Sequence, residues 1–266
     1  MSVTHGTKQW LQFGAILGAL YAFVCIIARI ESVEMIFPAP PRTYTDLPGL
    51  VTIPGAARQE YAAVCLPNPA ARYLMVFFHG NGEDLGIDQS RLEQLRAAGY
   101  AVLAVDYPGY GRSYGVRSEE AFYECADSTY QYATGHLGWA KDRVIVYGLS
   151  LGGAAAVWVA SHEQVGGLIL ESTFMSAYRV MTRWPIVLGD RMQSLARMKQ
   201  VRCPVLVIHG TADRVIGIEH GRALFAAAAE PKRSFWVQGA DHCQVPQIAG
   251  PRYWQELKAF TDSLPR

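Results

Sequence analysis

Arg143-Val144-Ile145-Val146-Tyr147-Gly148-Leu149-Ser150-Leu151-Gly152-Gly153 is an apolar run that ends in a serine framed by glycines. It continues as Ala154-Ala155-Ala156-Val157-Trp158-Val159-Ala160. The β-branched run predicts a buried strand and the small-residue run a helix. Between them stands Gly-x-Ser-x-Gly. A serine aimed out of the end of a sheet needs a sharp strand-to-helix turn, and glycine two positions either side lets the backbone close that tightly. The helix then begins at the serine, so its free N–H groups face the point where negative charge would develop. A bare pattern of this kind arises by accident in roughly one chain in ten of this size. The strand before it and the alanines after it give it weight. A serine that merely caps the helix is the alternative, but a cap needs no glycine on both sides.

Working outward, the same rhythm recurs. Residues 73–78 form an apolar run ended by His79-Gly80-Asn81-Gly82, and a helix is predicted over 84–98, closed by Gly99. Residues 100–106 form the next buried strand. Ser118 caps a helix whose Phe122, Cys125, Ala126, Thr129 and Ala133 share a face, and Gly135 ends it. Further strands cover 165–170, 204–208 and 233–237, with a helix over about 219–229 between the last two. Tyr253, Leu257, Phe260 and Leu264 give the stripe of a closing amphipathic helix. Two weaker strands, at 50–53 and 60–66, are expected to pair antiparallel. Strands alternating with helices predict an α/β fold: a mostly parallel sheet with helices on both faces. Residues 174–201 break the rhythm with Met175, Met181, Arg183, Trp184, Met192 and Met198. They read as a short helical cap over the sheet, either an acyl-binding lid or a cap burying its own apolar face.

The chain has 266 residues, of which 50% are hydrophobic and 18% charged, with a net charge of +1. This suits one large core and gives no basic face for nucleic acid. The five cysteines form no C-x-x-C and no zinc spacing. Most are expected to be buried free thiols, although the four beyond Cys25 could pair in an oxidising compartment. Residues 9–28, between Lys8 and Arg29, are uncharged and nearly all apolar. As a helix of about 30 Å they reach across the hydrocarbon layer, with Trp10 at one end as an interfacial anchor. A cleaved signal peptide is the alternative, but no small-x-small site precedes Arg29. The expected organisation is a membrane anchor over 1–30, a Pro-rich, non-helical connector over 31–49, and a folded domain over 50–266. The flanking charges give no orientation; a short N-terminal tail favours an exported domain.

A serine hydroxyl becomes a good nucleophile only when a base takes its proton. His242, past the last strand, is the candidate base. Asp213, past the preceding strand, is the candidate carboxylate to hold its tautomer. Glu171 is the alternative carboxylate. Asp241 is expected to point elsewhere, Cys243 to pack, and His79 and His209 to bond loop backbone. A metal cluster of His79, His209, His242 and Asp213 is conceivable at the same sheet edge, although no helical H-x-x-x-H supports it.

The chain resembles the α/β-hydrolase superfamily, in which nucleophile, acid and base follow the order of Ser150, Asp213 and His242. Residues His79-Gly80-Asn81-Gly82-Glu83-Asp84, Tyr107-Pro108-Gly109-Tyr110-Gly111-Arg112-Ser113, Leu170-Glu171-Ser172-Thr173-Phe174 and His209-Gly210-Thr211-Ala212-Asp213 are similar to its Bem46-like branch. That branch includes membrane-associated ABHD-type hydrolases, some of them protein depalmitoylases. The resemblance covers roughly residues 50–266. It implies Ser150 as nucleophile, Asp213 as acid, His242 as base, and an oxyanion hole from the backbone N–H groups of Leu151 and Asn81. It implies no metal or organic cofactor, and a small acyl ester or thioester, or an acylated protein, as substrate. An aminopeptidase-like amide hydrolase is the second chemistry, and a silent, membrane-tethered binding module the reading from another class. The branch often has Ala where Gly82 stands, and its cysteine-rich N-terminus is replaced here by a hydrophobic helix.

Overall fold

Eight strands form one sheet: β1 (Leu50–Pro54), β2 (Glu60–Leu66), β3 (Leu74–Phe78), β4 (Ala101–Val105), β5 (Val144–Leu149), β6 (Gly167–Glu171), β7 (Val205–Gly210) and β8 (Lys232–Val237). The computed structural model describes residues 3–182 and 187–265. The spatial order is β1-β2-β4-β3-β5-β6-β7-β8. β1 pairs antiparallel with β2, and β2 with β4; every later pairing is parallel. The two weak strand signals are therefore real and form the antiparallel edge.

The period-2 alternation of each buried strand divides the core in two. Leu74, Val76 and Phe78 of β3 and Val144 and Val146 of β5 pack on one face, where α4 (Gly152–His162) lies. Met75, Phe77, Ile145, Tyr147 and Leu149 pack on the other, against Leu92 of α2 (Leu85–Ala97) and Tyr253, Leu257 and Phe260 of α9 (Pro251–Asp262). Asp84 caps α2, and Ser118 caps α3 (Glu119–Gln131) by accepting from the Ala121 N–H. α7 (Ile218–Ala227) joins β7 to β8, and the short α8 (Val245–Ala249) precedes α9.

Among the described residues, 174–201 carry two short α-helices, α5 (Ala177–Met181) and α6 (Ser194–Arg197), and a 3-10 turn, Met198–Gln200. Arg183 and Trp184 of the expected cap lie outside the described residues.

The N-terminal helix differs from expectation. α1 runs from Val3 to Ile36, so residues 31–36 are helical rather than part of an extended connector. Pro38 restricts only the residue before it, and nothing in Glu31-Ser32-Val33-Glu34-Met35-Ile36 breaks a helix. The stretch Gln9–Ile36 is the one described helix long and apolar enough to cross a membrane, with a mean hydropathy of 2.2 in its most apolar window.

Candidate active site

β5 stops at Leu149 and α4 begins at Gly152, leaving two residues to reverse the chain. Ser150 takes φ +51°, a left-handed conformation that costs a residue with a Cβ on the order of 1–3 kcal/mol. The surrounding contacts explain the glycines. A Cβ on Gly148 would sit 2.3 Å from the Gly152 carbonyl oxygen, and one on Gly152 would sit 2.0 Å from that of Phe78. A Cβ on Gly153 would sit 2.1 Å from Thr173 Oγ1. The turn is pinned at both ends: the Ser150 N–H donates to the Glu171 carbonyl at 2.9 Å, and Thr173 Oγ1 donates to the Ser150 carbonyl at 2.6 Å.

The strand-end loops bring Ser150, His242 and Asp213 into one chain of hydrogen bonds. Ser150 Oγ lies 3.0 Å from His242 Nε2, and His242 Nδ1 lies 2.8 Å from Asp213 Oδ2. Ser150 and Asp213 are buried, and His242 is partly exposed. Asp213 Oδ1 accepts from the Val215 and Ile216 N–H groups at 2.9 and 2.8 Å. Burial pushes the Asp213 carboxyl up, but hydrogen bonds from His209, His242 and the Ile216 backbone outweigh it and hold the group well below the usual carboxylate range. Asp213 therefore stays ionised and accepts from His242 Nδ1–H, which leaves the Nε2 lone pair facing Ser150 Oγ.

His209 contributes more than sequence reasoning assigned. Its Nε2 bonds the Ile216 carbonyl at 2.8 Å, as expected of a residue that ties loop backbone, and it also lies 3.3 Å from Asp213 Oδ2. Its i, i+4 spacing to Asp213 was the only available signal. His79 bonds the Gly80 carbonyl through Nδ1 at 2.7 Å. Glu171 faces away from His242: it bonds Tyr147 and Tyr253 and pairs with Arg91 at 3.3 Å. Asp241 pairs with Arg214 and accepts from the His242 N–H at 2.8 Å. Cys243 departs from the expected packing role; it is an exposed free thiol, because the turn after His242 faces solvent. Cys25 and Cys125 are buried, while Cys65 and Cys203 are partly exposed. Among the described residues, no three His, Cys, Asp or Glu side chains come together as a metal-holding group.

The backbone N–H groups of Asn81 and Leu151 donate no hydrogen bond among the described residues. Both residues, with Ser150, border a cavity of about 430 Å³. Its walls are apolar: Phe174, Val180, Met181 and Val187 from the cap region and Ile216 from the loop after Asp213. The fourth side is α1, through Ala28, Ser32, Met35 and Ile36. Sequence reasoning missed this wall because it ended the helix too early.

The strand order, the glycine-framed turn and the three strand-end residues define an α/β-hydrolase. Residues 69–196 match the family described as serine aminopeptidase, S33. The alpha/beta hydrolase domain-containing protein aho-3 of Caenorhabditis elegans is 35% identical over 202 residues, covering 74% of this chain and 59% of that protein. The alpha/beta hydrolase domain-containing protein 17B of Xenopus tropicalis is 34% identical over 199 residues, covering 74% of this chain and 68% of that protein. The chain belongs to the alpha/beta hydrolase domain-containing protein family. It spans 59% of the length of the aho-3 relative. In fold it is similar to the Pyrococcus furiosus esterase Pf2001, with a TM-score of 0.71, 16% identity, and 85% of this chain and 99% of that one covered. It is similar also to the Paleococcus ferrophilus monoacylglycerol lipase, with a TM-score of 0.60, 22% identity, and 76% and 98% covered.

Proposed function

We propose that the protein is a membrane-anchored serine hydrolase that cleaves carboxylic esters or thioesters of acyl chains. The observation that carries this reading is the Ser150–His242–Asp213 hydrogen-bond chain at the edge of an apolar cavity. Ser150 Oγ attacks the acyl carbonyl while His242 Nε2 takes its proton. The carbonyl oxygen becomes an oxyanion and is held by the Asn81 and Leu151 N–H groups, which donate to no other group among the described residues. Asp213 fixes the His242 tautomer and stabilises the imidazolium. His242 then protonates the departing alcohol or thiol. Water, deprotonated by His242, releases the carboxylic acid and restores Ser150. The chemistry calls for no metal or organic cofactor.

The long apolar helix supports a single-pass membrane anchor. The apolar cavity walls favour an acyl substrate over the amide chemistry that the serine aminopeptidase family name suggests. Hydrolysis of a p-nitrophenyl ester panel by the full chain in detergent, alongside amino-acid p-nitroanilides, tests the reading. Ester turnover lost in Ser150→Ala is the expected result. Turnover of anilides alone would favour the peptidase, and inertness to both a binding module.

A further inference from the structure

The anchor does not end at the membrane; it continues as a wall of the cavity. From Gln9, about 20 residues of helix traverse the roughly 30 Å hydrocarbon layer, which brings the chain to Ala28. The next turns, through Ile36, stand at headgroup depth, where the ester carbonyls of bilayer lipids also lie. This end of the helix supplies Ala28, Glu31, Ser32, Met35 and Ile36 to the cavity beside Ser150.

Polar contacts hold this segment in place. Arg191, almost completely buried, donates through Nε to Ser32 Oγ at 3.2 Å and through Nη2 to the Arg29 carbonyl at 3.1 Å. It also pairs with Glu119 of α3 at 3.6 Å. Ser32 Oγ meets the Tyr178 hydroxyl at 3.2 Å, and Arg117 donates to the Phe37 carbonyl at 2.7 Å and to Glu34 at 2.9 Å. Beside them, Arg29 donates through Nη1 to the Gly189 carbonyl at 3.4 Å. The edge of the cap is thus attached to residues 29–32 of α1.

The rim repeats the message. Met35, Met181 and Val215 line the cavity and are nevertheless mostly exposed, at 61%, 73% and 58%, and neighbouring Leu188 is exposed at 68%. Large apolar side chains grouped around a cavity mouth, continuous with an apolar helix, mark a surface that meets lipid.

We propose that the cavity takes the acyl chain of a bilayer-resident ester or thioester sideways from the membrane, with residues 28–36 of α1 as the guiding wall and the Met35, Met181, Leu188 and Val215 rim seated in the lipid interface. The proposal rests on the serine-hydrolase reading and names its substrate class. α1 is then part of the substrate site as well as a tether.

A hexadecyl fluorophosphonate with a diazirine at the chain terminus tests this on the full chain in phosphatidylcholine vesicles. Attack by Ser150 Oγ forms the Ser–phosphorus bond and expels fluoride; light then links the chain end to whatever it touches. Adducts on Ser150 whose photoproducts map to residues 28–36 of α1, or to 177–182 and 187–188 of the cap region, are expected. Adducts on Ser150 with photoproducts in neither segment overturn the proposal and leave the hydrolase reading standing. No adduct on Ser150 overturns the hydrolase reading, and the proposal with it. A second measurement uses chain length. Each added methylene is expected to raise kcat/KM about fourfold until the cavity is filled. Ala28→Trp, which crowds the α1 wall, is expected to lower the palmitoyl-to-acetyl ratio about sixteenfold, the contribution of roughly two methylenes. An unchanged ratio in a folded Ala28→Trp protein counts against the wall.

Discussion

Asp213→Asn removes one charge and almost no volume, so its effect isolates the role of the carboxylate. Oδ1 of Asp213 is committed to two backbone donors, the Val215 and Ile216 N–H groups. An asparagine at this position keeps its oxygen there and places its NH₂ where Oδ2 now stands. That NH₂ faces His242 Nδ1, 2.8 Å away, and His209 Nε2, 3.3 Å away. His209 Nε2 already donates to the Ile216 carbonyl, so two donors confront each other. His242 can accept from the NH₂ only with Nδ1 unprotonated, which puts the proton on Nε2, and a protonated Nε2 has no lone pair for the Ser150 hydroxyl. The expected loss in kcat is on the order of 10⁴, or about 5 kcal/mol of transition-state stabilisation. Steady-state hydrolysis of p-nitrophenyl butyrate by the full chain in detergent measures it, with circular dichroism confirming the fold. A folded Asp213→Asn enzyme within tenfold of the parent would refute the tautomer argument. A crippled Glu171→Gln protein beside it would move the acid to Glu171.

Three further outcomes follow from contacts outside the hydrogen-bond chain. Gly152→Ala is expected to destabilise the fold by more than about 3 kcal/mol, because the new Cβ lands 2.0 Å from a backbone oxygen that cannot move aside; thermal unfolding measures it. Arg91→Met strands Glu171 among Tyr147 and Tyr253 and is expected to cost about 3 kcal/mol, at the low end for a buried pair because Arg91 keeps some exposure. Ester turnover per folded molecule should survive that change. Asp88 is buried, and burial, followed by the Glu83 charge, pushes its carboxyl up to about 7. With the folded value above the unfolded value of about 3.9, the native state binds the extra proton, so stability falls as pH rises between them. Asp88→Asn should therefore gain on the parent from pH 5 to pH 7, by at most about 1.4 kcal/mol per pH unit in chemical denaturation; a constant gap would contradict the shift.

The parts of the fold that sterics impose locally were readable in the sequence. Gly148, Gly152 and Gly153 announce the turn because each has a neighbour where a Cβ would go. The buried parallel strands announce themselves as continuous apolar runs, and Asp213 and His242 stand just beyond two of them. What could not be read depends on contacts between distant segments. The helix at residues 31–36 has weak local signals, and its position is set by Arg191, some 160 residues away. The approach of His209 to Asp213 depends on how the loop after β7 turns. The exposure of Cys243 follows from the direction of the chain after His242, which spacing does not encode.

Ester hydrolysis by this site requires an activated Ser150. The decisive measurement is fluorophosphonate labelling of the full chain in detergent, including the 28–36 wall, followed by intact mass and peptide mapping. One adduct is predicted, on Ser150, absent in His242→Ala and in Ser150→Ala. A folded protein that takes no label, or takes it elsewhere, would contradict the central claim.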